Sequence, residues 1–76
     1  MKTTLDEMQA FIAVVDAGAI SRAAEHLGLT VSAVSRTLNR LEEKLNTTLL
    51  RRTTRRLELT EEGAVFLERA RSIVAH

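Results

Sequence analysis

The stretch SRAAEHLGLTVSAVSRTLNRLEEKL, Ser21 to Leu45, decides how the rest of the chain is read. Three positions in it cooperate. Ala24 is small enough for two helices to cross closely, Gly28 can take the left-handed conformation that ends a helix, and Val34 can plug the interface from the following helix. A helix, a short turn and a longer helix in this order spell a helix-turn-helix. The reading predicts a second helix capped by Ser21 and ending at Leu27, then a third capped by Thr30. Val34, Leu38, Leu41 and Leu45 recur at helical intervals, which gives the third helix, about residues 31–45, a single apolar stripe.

Opposite that stripe, Ser32, Ser35, Arg36, Asn39 and Arg40 share one polar side. An ordinary helical bundle explains the stripe but leaves that side unexplained. A helix entering the major groove of DNA explains both: Ser can bond phosphate or a base edge, Arg can fork onto guanine, and Asn can pair with adenine. Arg40 is assigned to phosphate.

Outward from this unit, Thr4-Leu5-Asp6-Glu7 has the spacing of a capping box, and Leu5, Met8, Phe11, Ile12 and Val15 follow as the stripe of a first helix that ends before Gly18. Downstream of Asn46 the period changes. Leu49-Leu50 and Leu57-Glu58-Leu59 read as two short strands around a polar tip that holds Thr53 and Thr54. No Gly sits at that tip, so the strand register is left open. Thr60 is expected to cap a fourth helix with Glu61 and Glu62 in its first turn, and Phe66, Leu67, Ala70, Ile73 and Val74 form its apolar stripe. The stripe reaches the last residue without a stop signal, so that helix is expected to continue in a longer parent chain or to pack on another subunit. The expected architecture is mainly α, a winged helix-turn-helix with a three-helix core, a two-stranded wing and a carboxy-terminal linker helix. Residues 1–60 form the winged unit and residues 61–76 the linker helix.

Composition bounds the alternatives. Seventy-six residues leave room for one small domain, and 45% apolar residues supply its core. There is no Cys, and the two histidines, His26 and His76, are far apart, which argues against a metal staple. The longest apolar run, Ala10 to Val15, is too short for a signal peptide or membrane span. A cytoplasmic protein without membrane contact is expected, and the lack of Cys agrees with a reducing compartment. The net charge of +1 conceals a gradient: residues 36–56 carry seven basic side chains against two acidic ones, while both flanks are acidic. Such a segment suits a polyanion, and its bias to Arg suits phosphate and base edges; a merely solvated run of charge has the same composition. Arg51, Arg52, Arg55 and Arg56 at the wing fit phosphate clamping or an adjacent minor groove.

The residues Ser21 to Thr30, Ala33-Val34-Ser35-Arg36, Leu41-Glu42, Leu45, Leu49-Leu50-Arg51-Arg52, Arg55 and Leu59-Thr60-Glu61-Glu62-Gly63 resemble the amino-terminal domain of LysR-type transcriptional regulators, over nearly the whole chain. The resemblance implies a homodimer through the fourth helix, placed on an interrupted inverted repeat of double-stranded DNA. It also implies a separate carboxy-terminal domain that binds a small-molecule effector, with no cofactor in this domain. By the same resemblance, Ser21 matches a phosphate-contacting hydroxyl, Ser35 and Arg36 match groove-facing contacts, and Arg52 and Arg55 match the wing arginines. Thr30 stands where Ser is usual. Val31 and Ser32 stand where the family often has Gln-Pro, Asn46 where Gly is frequent, and Leu50 where Phe is frequent. Val31 cannot make a bidentate adenine contact, though it can touch a thymine methyl.

Other features carry less. His26 is read as a surface side chain, and Phe11 and Phe66 as core. Glu42-Glu43 and Glu61-Glu62 are read as solvated or capping groups, since adjacent helical positions diverge and no nucleophile accompanies them. An enzyme is therefore not expected. The competing function is a winged helix used for protein association, in which the wing arginines meet an acidic partner instead of phosphate.

Overall fold

The computed structural model describes residues 5–52 and 57–75. Its elements follow the order α1 (Leu5–Ala17), α2 (Ile20–Leu27), α3 (Val31–Leu45), β1 (Leu50–Arg52), β2 (Leu57–Leu59) and α4 (Glu61–Ala75). Helix α1 is central and lies against α2, α3 and α4, while α2 also packs on α3. The core they enclose is built from Phe11 and Val14 of α1, Ala23 and Ala24 of α2, Val34, Leu38 and Leu41 of α3, and Leu49 and Leu50 at the start of the wing. Ala24 and Val34 are both fully or almost fully buried, as close crossing of α2 and α3 demands.

The ends of α2 and α3 are the same device made with different residues. Gly28 has φ 70°, and the amides of Gly28 and Leu29 donate to the carbonyls of Glu25 and Ala24 at 3.2 and 2.8 Å. Asn46 has φ 51°, and the amides of Asn46 and Thr47 donate to Glu43 and Glu42, both at 3.1 Å. This pairing satisfies the last carbonyls of a helix and turns the chain sharply. Asn tolerates the left-handed region better than most side chains, so it serves where Gly would be the simpler choice.

The start of α2 departs from the expected cap. The cap position is Ala19, whose backbone is extended and which makes no side-chain cap bond. Ile20 packs on the core, so the helix begins two residues earlier than a Ser21 cap implies, and Ser21 falls inside its first turn, exposed. At α3 and α4 the expected caps are present: Thr30 Oγ1 accepts from the Ala33 amide at 3.1 Å, and Thr60 Oγ1 accepts from the Gly63 amide at 2.9 Å. Thr4 of the capping box in front of α1 lies outside the described residues.

Strands β1 and β2 are antiparallel, with Leu50 opposite Leu59, Arg51 opposite Glu58 and Arg52 opposite Leu57. This register puts the buried Leu50 and the half-buried Leu57 on the face toward the core and turns Arg51, with Glu58, to the opposite face; Arg52 shares the face of Leu50 but is exposed. Helix α4 closes the fold. Phe66 meets Phe11 edge to face at a centroid distance of 5.5 Å, a favoured aromatic geometry, and Leu67 packs on the same core. Arg71 makes a two-pronged contact with the Asp16 carboxylate on α1. Among the described residues, no helix is long and apolar enough to cross a membrane.

Candidate nucleic-acid interface

The Thr30 cap fixes where α3 starts and therefore which side chains its free face presents. Ser32, Arg36, Asn39 and Arg40 are exposed along that face, and Ser35 is half-buried. Val31 is 50% exposed at the first turn, next to Leu29, which is 49% exposed in the preceding turn. Val31 is not among the apolar side chains packed on the core cluster. Ser21 on α2 is also exposed.

The wing continues this surface. Arg51 and Arg52 are exposed on β1, and Arg52 Nη2 donates to Asn39 Oδ1 at 3.0 Å. A second tether lies one turn further along α3. Glu42 Oε2 accepts from the backbone amides of Leu49 and Leu50 at 2.7 and 3.1 Å. This corrects the expectation that Glu42 is a solvated or capping group: its carboxylate holds the segment that leads into β1. Sequence spacing gives no sign of this, because the bonded groups are backbone amides seven and eight residues away. Thr53, Thr54, Arg55 and Arg56 lie outside the described residues.

Lys44 does not belong to the free cationic surface. Its Nζ sits 3.0 Å from both carboxylate oxygens of Glu7, which is buried on α1. The partner lies 37 positions away in sequence, so a count of basic residues in the 36–56 segment includes a charge that is already neutralised. Among the described residues, no group of three or more His, Asp and Glu side chains could hold a metal ion.

The apolar stripe expected on α4 divides between two directions. Ala70 is fully buried in the domain, and Phe66 and Leu67 are partly buried on its core, so these three stabilise the monomer. This corrects the assignment of Ala70 to an intersubunit face, since it has no surface to offer, while Phe66 and Leu67 keep part of their surface in solvent. Ile73 is 54% exposed and Val74 half-buried. Val65, absent from the expected set, is 55% exposed. The stripe is wide because α4 has an inward face toward α1 and separate outward apolar positions, which periodicity alone does not distinguish.

The model of the bacterial regulatory helix-turn-helix protein, lysR family, matches residues 5–64. The chain belongs to the LysR family. Among the relatives of this LysR domain is the HTH-type transcriptional regulator CrgA of Neisseria meningitidis serogroup C (strain 8013), 55% identical over 74 residues that make up 97% of the chain and 25% of the relative. The chain thus spans about a quarter of that protein's length. The backbone superposes on a crystal structure described as a CbnR DBD–DNA complex with a TM-score of 0.93 at 37% identity, covering 96% of this chain and 84% of that one. A BenM DBD complex with catB site 1 DNA gives a TM-score of 0.92 at 32% identity, covering 96% and 82%. The LysR domain therefore shares its four helices and two-stranded wing with domains solved on DNA.

Proposed function

We propose that this LysR domain is the double-stranded DNA-binding part of a transcriptional regulator, and that it reads sequence with α3 in the major groove. The observation that carries the reading is one exposed cationic surface. It runs from Ser32, Arg36, Asn39 and Arg40 on α3 to Arg52 on β1, joined by the Asn39–Arg52 hydrogen bond, while Arg51 is exposed on the other face of the wing. Phosphate contacts set register and base edges set specificity, so a polar helix beside a wing rich in Arg is a suitable division of labour. In that division Val31, Ser32, Ser35 and Arg36 face bases. Ser21, Thr30 and Arg40 meet phosphate, and Arg52 meets phosphate or the minor groove together with the wing segment Thr53, Thr54, Arg55 and Arg56.

Residues 61–76 serve as a linker helix through which two copies associate on an interrupted inverted repeat. The outward positions Val65 and Ile73, with the partly exposed Phe66, Leu67 and Val74, are apolar side chains available for that contact. The small-molecule effector belongs to a further carboxy-terminal domain of a cytoplasmic regulator, in keeping with the fraction of its relatives that the chain spans.

The test is selection of the chain from a random duplex library at physiological salt, followed by sequencing of the bound pool. Enrichment of an inverted repeat supports both specific readout and the two-fold dimer. Enrichment of single half-sites keeps the readout and removes the dimer. A pool without enrichment refutes sequence-specific binding.

A further inference from the structure

Asn39 lies at the middle of the exposed face of α3, where an adenine-reading side chain would be placed, but its amide is already engaged. Arg52 Nη2 donates to Asn39 Oδ1 at 3.0 Å across thirteen positions of sequence. A guanidinium has donors and no acceptor, so this partner fixes the amide orientation, with the oxygen toward Arg52 and the NH2 group away. Bidentate recognition of adenine needs both halves of the amide, the oxygen accepting from N6–H and the nitrogen donating to N7. With one lone pair of its oxygen taken by a cation, Asn39 keeps one acceptor site and two N–H donors, and Arg52 adds the guanidinium N–H groups that remain. A pair rich in donors that carries a full positive charge and holds its amide oxygen toward that charge matches a phosphate oxygen better than an adenine edge, which needs an acceptor facing N6–H.

The surrounding structure holds this pair in place. Glu42, one turn beyond Asn39 on α3, binds the amides of Leu49 and Leu50 and so fixes the backbone from which Arg52 projects. An exposed arginine otherwise loses rotamer freedom when it binds a ligand; one already bonded to Asn39 has lost part of it beforehand.

We infer that Asn39 is a positioning residue for Arg52, the two forming a phosphate clamp, and that Asn39 does not read adenine. The inference rests on the DNA-binding reading above and assigns the roles within it. It makes backbone affinity, not base preference, the property that depends on Asn39.

The experiment titrates the wild-type chain, Asn39→Ala, Arg52→Ala and the double variant against the duplex that the wild type selects and against a random duplex of equal length, over a series of salt concentrations. Ala forms helix better than Asn and residue 39 is exposed, so the substitution leaves the helix intact, which a melting curve verifies. Asn39→Ala is expected to weaken both duplexes by the same factor, about threefold. It flattens the log–log salt slope by up to about 0.9, the value of one phosphate. In the Arg52→Ala background it costs nothing further, since the two act as one unit. A loss confined to the selected duplex, with relaxed preference at one A·T pair, overturns the inference and makes Asn39 a base reader. Additive losses from the two substitutions overturn it as well. Wild-type chain that binds no duplex in a salt-dependent way sinks the DNA-binding reading itself, an outcome distinct from either of these.

Discussion

Gly63 lies against the backbone of Leu49 so closely that a Cβ added at residue 63 would overlap the Leu49 carbonyl oxygen and come within 2.8 Å of Leu59 Cδ1. The first turn of α4 thus rests directly on the segment leading into β1. Thr60 completes the junction: its amide donates to the Leu49 carbonyl at 3.0 Å and its hydroxyl to the Thr48 carbonyl at 2.7 Å. In most helices, replacing Gly by Ala stabilises by about 1 kcal/mol. Here the sign is reversed. Gly63→Ala is expected to destabilise by about 2 kcal/mol, because the obstructing atom is backbone and cannot rotate away. Thermal melting checks it, and an unchanged or higher midpoint would refute the close approach.

Lys44 is expected to contribute to folding and not to DNA affinity. Its ammonium group compensates the Glu7 carboxylate, whose side chain is only 5% exposed, while Lys44 itself is 32% exposed. Lys44→Ala is therefore expected to cost about 1 to 3 kcal/mol of stability, less than a fully buried pair would. The salt dependence of duplex binding, measured well below the melting point, should stay as in the wild type. A flatter slope would return Lys44 to the phosphate-contacting set.

Glu42 takes both of its wing bonds on one carboxylate oxygen. Glu42→Gln keeps a carbonyl oxygen for them and should be tolerated. Glu42→Ala leaves two part-buried amides without their acceptor and should cost about 1 to 3 kcal/mol. Amide hydrogen exchange at Leu49 and Leu50 is the direct readout: protection is lost in the Ala variant and largely kept in the Gln variant. Equal protection in both would show that the carboxylate is dispensable there.

Asp16 and Arg71 join the ends of α1 and α4 at the surface. The hydrogen bonds from the Arg71 guanidinium, with its charge, hold the Asp16 carboxyl below the ordinary carboxylate value against a smaller opposing effect of burial. A folded-state pKa below the unfolded one gives stability that is complete above the unfolded value and is lost as pH falls through the folded value. The melting difference between wild type and Arg71→Ala should thus be small and positive near neutral pH. It should vanish in acid, over the range where both stay folded, and shrink with added salt. A difference independent of pH would assign the effect of Arg71 to packing.

Arg36 and Arg51 should separate on duplex sequence. Arg36→Ala is expected to cost about 1 to 3 kcal/mol more on the selected site than on random DNA, as a base contact does. Arg51→Ala should weaken both equally and flatten the salt slope by about 0.9. Equal losses for Arg36→Ala on both duplexes would make it a phosphate contact.

Much of this domain was legible in the sequence because it is locally determined. Helix periods, the Thr30 and Thr60 caps, the left-handed end at Gly28, and the polar face of α3 depend on residues within about a turn of one another. The grouping of Ala24, Gly28 and Val34 then fixes how two such helices meet. The cap of α2 escaped this reading, because burial of Ile20 outweighed the capping preference of Ser21.

Tertiary structure alone decided which charges are free and which apolar positions face outward. The Glu7–Lys44 pair, the Glu42 tether and the Asn39–Arg52 bond connect residues 37, 7 to 8 and 13 positions apart, and no periodicity encodes such distances. Likewise, Ala70 and Ile73 belong to one apolar stripe in the sequence, yet the first is sealed against the core and the second is open to solvent. A side chain's type sets what it can bond, whereas the packing of α1 against α3 and α4 sets which partner it meets. The sequence therefore determined the elements and the chemistry of their faces, and the packing determined the division between groups that hold the fold and groups left for a ligand.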